Sequence, residues 1–383
     1  MKKELPMRLL KFDTINPEKY ILRKIKDNAS EISSMNRKQM LDWIISLRGN
    51  FSDFYTYHLR NLGWEAEEFI VSEPYLEKVI DELYGASKGV RHLKDDFLNR
   101  LRPFKDRWKL NVIKDYINNY NPDVILIREQ IGIPSDYWHG FRSKALIVSR
   151  IATPVPRYWS HTDFDLILTS TEVFRTFFEL NRVPSYINHN GFDERVLSEL
   201  KQDEKKYNTT FVGGLGDKFW INRTKCFRYL AMNTDAVWWG YNEEIFPQTD
   251  VLRQRHRGLA SGLEMLQIYK DSRIVFNDYG EIADGMGVNQ RIFEVLGVGS
   301  FLLTRKADNL EKTFPKDIFA TFTDEKDCLD KINYYLKNEA EREEIAKAGQ
   351  EFILKNYNYK DLMKEIDTIL RQNYKLKFKK SIT

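Results

Sequence analysis

The chemistry-bearing residues of this chain gather where glycines interrupt apolar runs. From Asp271 to Arg305 the residues DSRIVFNDYGEIADGMGVNQRIFEVLGVGSFLLTR read as strand, glycine-bearing loop, helix and second strand. Gly280, Gly285 and Gly287 loosen the backbone ahead of a helical pattern that begins near Asn289, and Ile292, Phe293 and Leu296 form its apolar stripe. The first-turn amides of such a helix have no intrahelical acceptors and face the loop, which suits an anionic ligand. Gln290 and Glu294, four apart, share another face, so Glu294 stands one turn inside the helix. A second loop, Gly213-Gly214-Leu215-Gly216, lies between a strand at Thr209 to Val212 and a helix from about Phe219 to Met232, and it could cradle phosphate. Both patterns also fit ordinary βαβ units whose glycines serve only turns.

Other chemistries find little support. The six histidines, at 58, 92, 139, 161, 189 and 256, show no HExxH or paired spacing, so no zinc site is expected. Cys226 and Cys328 are the two cysteines, too few for a disulfide framework, which fits a reducing cytoplasm. A dinucleotide fingerprint would need glycine where Phe219 stands and an acid closing the next strand, which instead ends in Gly240-Tyr241, so a nicotinamide oxidoreductase ranks third among the functional readings. Sixty Lys+Arg against 56 Asp+Glu leave a formal charge of +4, which gives no general case for nucleic-acid binding. The amino terminus has no signal-peptide pattern, and no window approaches 18 uninterrupted apolar residues, so no membrane span is expected.

The elements that would position these residues alternate along 383 residues, enough for two to three domains, with 42% hydrophobic residues to build their cores. Met7 to Phe12 and Glu65 to Val71 read as strands, with Phe51 to Leu62 a helix between them and Asn16 to Asn36 a polar connection. Three further apolar runs, Asp123 to Arg128, Ala145 to Ser149 and Phe164 to Ser170, predict a parallel sheet with crossover helices. Ligands of such sheets lie beyond the carboxyl ends of the strands, which makes Glu129 with Gln130, Arg150 with Thr153, and Thr171 with Glu172 site candidates, each of which also suits a cap or a surface pair. Lys88 to Lys114 carries nine basic residues against Asp95, Asp96 and Asp106, a local charge of +6, with Leu93, Phe97, Leu101, Phe104, Trp108 and Val112 on one stripe. This segment could meet anionic lipid, or pack on the sheet with a solvated outer face. Successive helices follow Phe319 to Thr323, and Lys375, Lys377, Lys379 and Lys380 form a basic tail expected to be loosely ordered.

Asn289, Arg291, Phe293, Glu294, Gly297 and Gly299, followed by Phe301-Leu302-Leu303-Thr304, resemble the donor-nucleotide segment of GT-B glycosyltransferases, and most nearly the spore-maturation (CgeB-type) branch related to glycosyltransferase family 4. HNGFD at 189 to 193 resembles the crossing between the domains of that fold, FVGGLGDKFWINR its first nucleotide-domain loop, and LKNEAEREEIAKAGQEFILKNYNY its carboxyl end. The resemblance implies an α/β GT-B fold of two Rossmann-like domains facing a cleft: residues 1–190 for the acceptor, 191–355 for the donor, and 356–383 as a helix crossing back to the amino-terminal domain, with a basic tail. It implies that Glu294 takes the ribose hydroxyls of a nucleotide sugar and that Gly214, Arg223, Gly287, Val288, Asn289 and Arg291 line the donor site. Arg223 and Arg291 would stabilise the leaving diphosphate without a metal or other cofactor. Family 4 proper has a second glutamate eight positions before Glu294, where this chain has Met286. An inverting enzyme would need a general base from Glu129, His161 or Glu172, whereas a retaining one would not. The expected partners are a nucleotide sugar of unknown base and a glycan, lipid-linked or protein acceptor, with peripheral contact to an anionic membrane a further expectation. The alternative is a non-catalytic nucleotide-sugar or glycan-binding protein in polysaccharide assembly.

Overall fold

A computed structural model describes residues 6–15, 17–50, 52–85, 107–128, 133–152, 159–202, 204–216, 218–280 and 286–379. These divide into two compact units, Met1–His189 with Lys360–Thr383, and Asn190–Tyr359.

Unit 1 is built on six parallel strands: β1 (Arg8–Asp13), β2 (Glu65–Ile70), β3 (Val124–Ile127), β4 (Leu146–Arg150), β5 (Leu166–Thr169) and β6 (Ser185–Ile187), in the order β2-β1-β3-β4-β5-β6. Each pairing is parallel, with Leu9 opposite Val124, Val124 opposite Leu146, and Val148 opposite Leu166. Parallel strands need crossovers, and helices covering both faces leave the central strands no solvated side. The sequence meets that demand with near-continuous apolar runs, and all four residues of β3, VILI, are buried. The core joins Phe12, Phe69, Ile125 and Ile147 to Trp138, with the rings of Phe12 and Trp138 4.8 Å apart.

Unit 2 holds five parallel strands: β7 (Tyr207–Val212), β8 (Val237–Trp239), β9 (Ser272–Asn277), β10 (Phe301–Arg305) and β11 (Ala320–Phe322), in the order β11-β10-β9-β7-β8. Its core is aromatic, with Phe276 stacked 5.4 Å from Phe322 and edge-on to Phe211 at 5.7 Å. The helix Gln290–Gly297 joins β9 to β10 and ends where Gly299 turns to a φ of 78°. That left-handed conformation suits glycine and lets Ser300 N–H reach back to Val295 O at 3.1 Å.

Two local expectations are corrected here. The stretch read as a polar connection forms two helices, Glu18–Asp27 and Ala29–Ser34, anchored by buried Tyr20, Ile21 and Ile32. Sequence reading also passed over the helices Arg37–Ser46 and Glu73–Tyr84, which pack on the unit 1 core through Met40, Ile44, Leu76 and Val79. The basic tail is helical as far as Lys379, because the final helix, Tyr359–Lys379, finds specific partners in unit 1. Asp367 accepts from Trp64 Nε1 at 2.5 Å, Arg371 lies 4.7 Å over the Trp64 ring, and Tyr374 donates to Asp123 at 2.9 Å. Lys377 donates to Ala145 O at 2.9 Å and to Asp165 at 2.5 Å. Of the basic stripe from Lys88 to Lys114, residues 88–106 lie outside the described residues, and the remainder opens the helix Arg107–Tyr120, whose Val112 is buried. Among the described residues, no helix is long and apolar enough to cross a membrane.

Candidate functional site

In unit 2 the loops that follow β7, β8 and β9 meet the amino end of the helix Gln290–Gly297. Gly240, just past β8, approaches Gly213 so closely that a Cβ there would lie 2.0 Å from the Gly213 carbonyl oxygen. Only glycine allows that approach, which holds the Gly213 to Gly216 loop against the sheet edge.

Arg223, on the helix Ile221–Asn233 that follows this loop, is buried. Its Nη1 donates to Gly214 O at 3.1 Å and its Nη2 to Asp278 O at 2.6 Å, so one guanidinium ties the loop after β7 to the loop after β9. The same group lies 5.5 Å over the Phe211 ring, and Arg291 lies 5.2 Å over that ring as well. Two cations thus gather around one aromatic side chain at the end of β7.

Arg291 is oriented by Asn277, the fully buried last residue of β9. Asn277 Oδ1 accepts from Arg291 Nη1 at 2.8 Å and from Asn289 Nδ2 at 3.3 Å, and Asn277 Nδ2 donates to Thr304 Oγ1 on β10 at 2.9 Å. Gly287 N–H donates to Asn309 Oδ1 at 2.8 Å, and Val288 is half-buried between Gly287 and Asn289. Asp278, also buried, faces Arg305, whose Nε lies 2.9 Å from both carboxylate oxygens. Burial pushes the Asp278 carboxyl up, against the pull of Arg305.

Glu294 lies one turn beyond this network and is half-buried. Withdrawal from water pushes its carboxyl up to about 7, opposed by the charge of Arg291 and a hydrogen bond from Gln290. Among the described residues no ion pair engages it, so it can still accept hydrogen bonds from a ligand. The expected donor-side residues Gly214, Arg223, Gly287, Val288, Asn289, Arg291 and Glu294 lie on neighbouring loops and at the amino ends of two helices, Ile221–Asn233 and Gln290–Gly297. Sequence reading gave no site role to Asn277, Asp278, Thr304 or Arg305. The one available signal was a polar residue closing an apolar strand, as Asn277 closes β9.

The catalytic candidates of unit 1 are not brought together. Glu172 follows β5 at its carboxyl end, in the first turn of the helix Glu172–Leu180, where its exposed carboxylate pairs with Arg175 at 2.7 Å. His161 precedes β5, in a short turn at the strand's amino end, and packs on Phe177 and Phe178 in the last turns of that helix at 5.6 and 6.2 Å. The helix runs back along the sheet, so His161 and Glu172 lie at opposite ends of it. Glu129, Gln130 and Thr153 lie outside the described residues.

A buried polar array, unforeseen from sequence, occupies the carboxyl side of unit 1. Lys11, with no exposure, donates to Glu68 Oε2 at 2.7 Å and to Ser52 O at 3.0 Å, and lies 2.8 Å from Asp13 Oδ2. Burial works against the Lys11 charge, yet Asp13 and Glu68 together hold its pKa above the ordinary lysine range. Glu68 is pushed up to about 7 by burial, and Asp13 adds to that rise while Lys11 opposes it. Burial beside a second carboxylate thus raises the Glu68 pKa against the pull of the shared ammonium.

Residues 194–368 match a family model described as glycosyl transferase-like. Comparison with curated proteins finds no match. Among solved structures, a glycosyltransferase from Rickettsia africae ESF-5 is 11% identical, with 97% of this chain and 99% of that chain covered at a TM-score of 0.61. Anabaena HepE in complex with UDP and glucose is 13% identical, with 96% and 100% covered at 0.55. The E. coli protein described as trehalose-6-phosphate bound with UDP-2-fluoro glucose is 13% identical, with 95% and 99% covered at 0.55. At such identities the likeness is one of fold. The chain has the two-sheet α/β architecture of GT-B glycosyltransferases over nearly its whole length, as its sequence led us to expect.

Proposed function

We propose that the protein is a glycosyltransferase that takes a sugar from a nucleotide-sugar donor held by unit 2 and passes it to a glycan, lipid-linked or protein acceptor held by unit 1. The observation that carries this reading is Glu294, a half-buried carboxyl engaged by no ion pair among the described residues and standing one turn inside a helix whose amino end adjoins Arg291, Asn289 and the Gly213 to Gly216 loop. A carboxylate there suits two vicinal ribose hydroxyls, which donate, while guanidinium groups suit the diphosphate that leaves. Arg291 is the better candidate to meet the diphosphate, because Arg223 spends two donors on backbone carbonyls and acts by shaping the loop. Charge stabilisation of the leaving group by arginines and helix amides would let transfer proceed without a metal. The residue order from Asn289 to Gly299 further supports the CgeB-type branch related to family 4.

Met286 at the position of the second family 4 glutamate favours a second reading, in which the protein binds nucleotide sugar without transferring it. A cytoplasmic location at the inner face of an anionic membrane belongs to the same proposal and rests on the basic stripe. Co-sedimentation with liposomes that ignores their anionic lipid content would remove that part. The function itself is tested by a thermal-shift screen of UDP-, GDP-, CMP- and TDP-sugars, followed by hydrolysis and transfer assays with the best binder. Binding with slow hydrolysis supports a transferase, binding with no turnover supports the second reading, and no binding by any nucleotide sugar overturns both.

A further inference from the structure

Tyr269 stands near the end of the helix Gly262–Lys270, which packs against the helix Gln290–Gly297. Its side chain has no exposure, yet its hydroxyl finds no hydrogen-bond partner among the described residues. Arg291 Nε is likewise buried and without a partner there. Burial pushes the Tyr269 hydroxyl up and the nearby charge of Arg291 opposes that rise, but the two groups fall short of hydrogen-bond geometry. We propose that Tyr269 is a positioning residue of the donor site, a role that rests on the donor reading of unit 2. When the phosphate of a nucleotide draws Arg291 into place, Arg291 Nε closes onto the Tyr269 oxygen, and the guanidinium is held toward the ligand from behind.

The first support is energetic. A buried hydroxyl and a buried guanidinium N–H that both lack partners destabilise the free protein, and interiors seldom keep such groups without a use for them. Phenylalanine would fill the same space without that cost. The second is direction. Arg291 is fixed through Nη1, which donates to Asn277 Oδ1 at 2.8 Å, and through its plane, which lies 5.2 Å over the Phe211 ring. Its Nη2 abuts the loop after β7, where a Cβ on Gly213 would lie 2.7 Å from it. These contacts engage one end and one face of the guanidinium and leave Nε, the edge toward Tyr269, unused. The third is chemistry. Burial and the Glu294 charge both keep the proton on Tyr269, so its oxygen remains a neutral acceptor for Arg291. The acceptor is also rigidly carried, because Tyr269 O accepts from Ser300 Oγ at 2.6 Å, just past the turn that ends the helix bearing Arg291.

The full chain is titrated by calorimetry at pH 8 with UDP, GDP, TDP and CMP, using wild type, Tyr269→Phe, Arg291→Lys and the double variant, and each protein is unfolded in urea without ligand. Tyr269→Phe should bind the best of these nucleotides about tenfold more weakly than wild type, the loss of one hydrogen bond from a charged donor. Its urea midpoint should equal or exceed that of wild type, because the hydroxyl it lacks is unbonded in the free protein. In the Arg291→Lys background, which keeps a cation and has no Nε, the same change should alter affinity by no more than about twofold. A purely structural tyrosine predicts the reverse, a lower urea midpoint with nucleotide affinity unchanged. Equal affinity of wild type and Tyr269→Phe overturns the proposal, as does an equal loss in both Arg291 backgrounds. A lowered midpoint, or failure of Tyr269→Phe to fold, also overturns it, since either would show the hydroxyl already bonded in the free state. Wild type that binds none of the four nucleotides sinks the donor reading and this role with it, whereas nucleotide binding that ignores Tyr269→Phe sinks this role alone.

Discussion

Replacing Glu294 with alanine tests the donor site at its most exposed point of inference. In wild type the carboxyl is pushed up to about 7 by burial, so near neutral pH the folded protein holds it as a mixture of acid and carboxylate. A ligand that donates two hydroxyls selects the carboxylate. Each charge-assisted hydrogen bond contributes roughly 1.5–3 kcal/mol, and two on one carboxylate are not additive, so about 1.5–3.5 kcal/mol is the expected total. At about 1.4 kcal/mol per decade, Glu294→Ala should weaken nucleotide binding about tenfold to several hundredfold. The raised pKa adds a second signature with a definite sign. Above pH 7 the carboxylate is already formed and affinity is flat, whereas below pH 7 the ligand must first expel a proton, so affinity should fall by about tenfold per pH unit. Glu294→Ala should abolish that slope. Isothermal calorimetry with the best nucleotide at pH 6, 7 and 8, on both proteins, reads all of this. Equal dissociation constants, or a wild-type affinity indifferent to pH, would show that Glu294 only decorates the helix and would remove the main reason for placing the donor site there.

Arg223→Ala should lower the stability of unit 2 by about 3 kcal/mol, because two backbone carbonyls lose a buried charged donor, and a urea midpoint unchanged from wild type would refute its bridging role. Lys11→Met should cost about 3–5 kcal/mol by leaving Asp13 and Glu68 buried without their cation, as read by the urea midpoint of unit 1 unfolding. Glu68 has a folded pKa above its unfolded one, so its contribution is fully present below about pH 4.5 and is lost as pH rises toward 7. Stability should fall by about 3 kcal/mol across that window, and Glu68→Gln should flatten the decline; an equally steep decline in the variant would contradict the assignment. Lys377→Ala should destabilise unit 1 by about 1–2 kcal/mol through loss of its bonds to Asp165 and Ala145, and thermal melts that superimpose on wild type would show that the end of the last helix is not anchored.

How much was legible in the sequence depended on how local the signal was. Runs such as VILI at 124 to 127 and FLLTR at 301 to 305 announce strands buried on both faces, and their alternation with helical patterns implies parallel sheets, since parallel neighbours need crossovers. The same local logic put Glu294 one turn inside its helix and the glycine loops before it, because 3.6-residue periodicity and the backbone demands of glycine are written in adjacent residues. What tertiary structure alone decided involves partners far apart in the chain. Lys11 lies buried between Leu10 and Phe12 and becomes tolerable through partners that include Glu68, 57 positions away on the neighbouring strand. Arg223 had the residue type of a phosphate ligand, yet packing turned two of its donors toward the carbonyls of Gly214 and Asp278. His161 and Glu172 are eleven positions apart, but the strand and helix that follow His161 put them at opposite ends of the sheet. A local pattern specifies which element a residue occupies, whereas the direction in which a side chain finds its partner depends on how strands pair and helices return, and those contacts form only when distant segments meet.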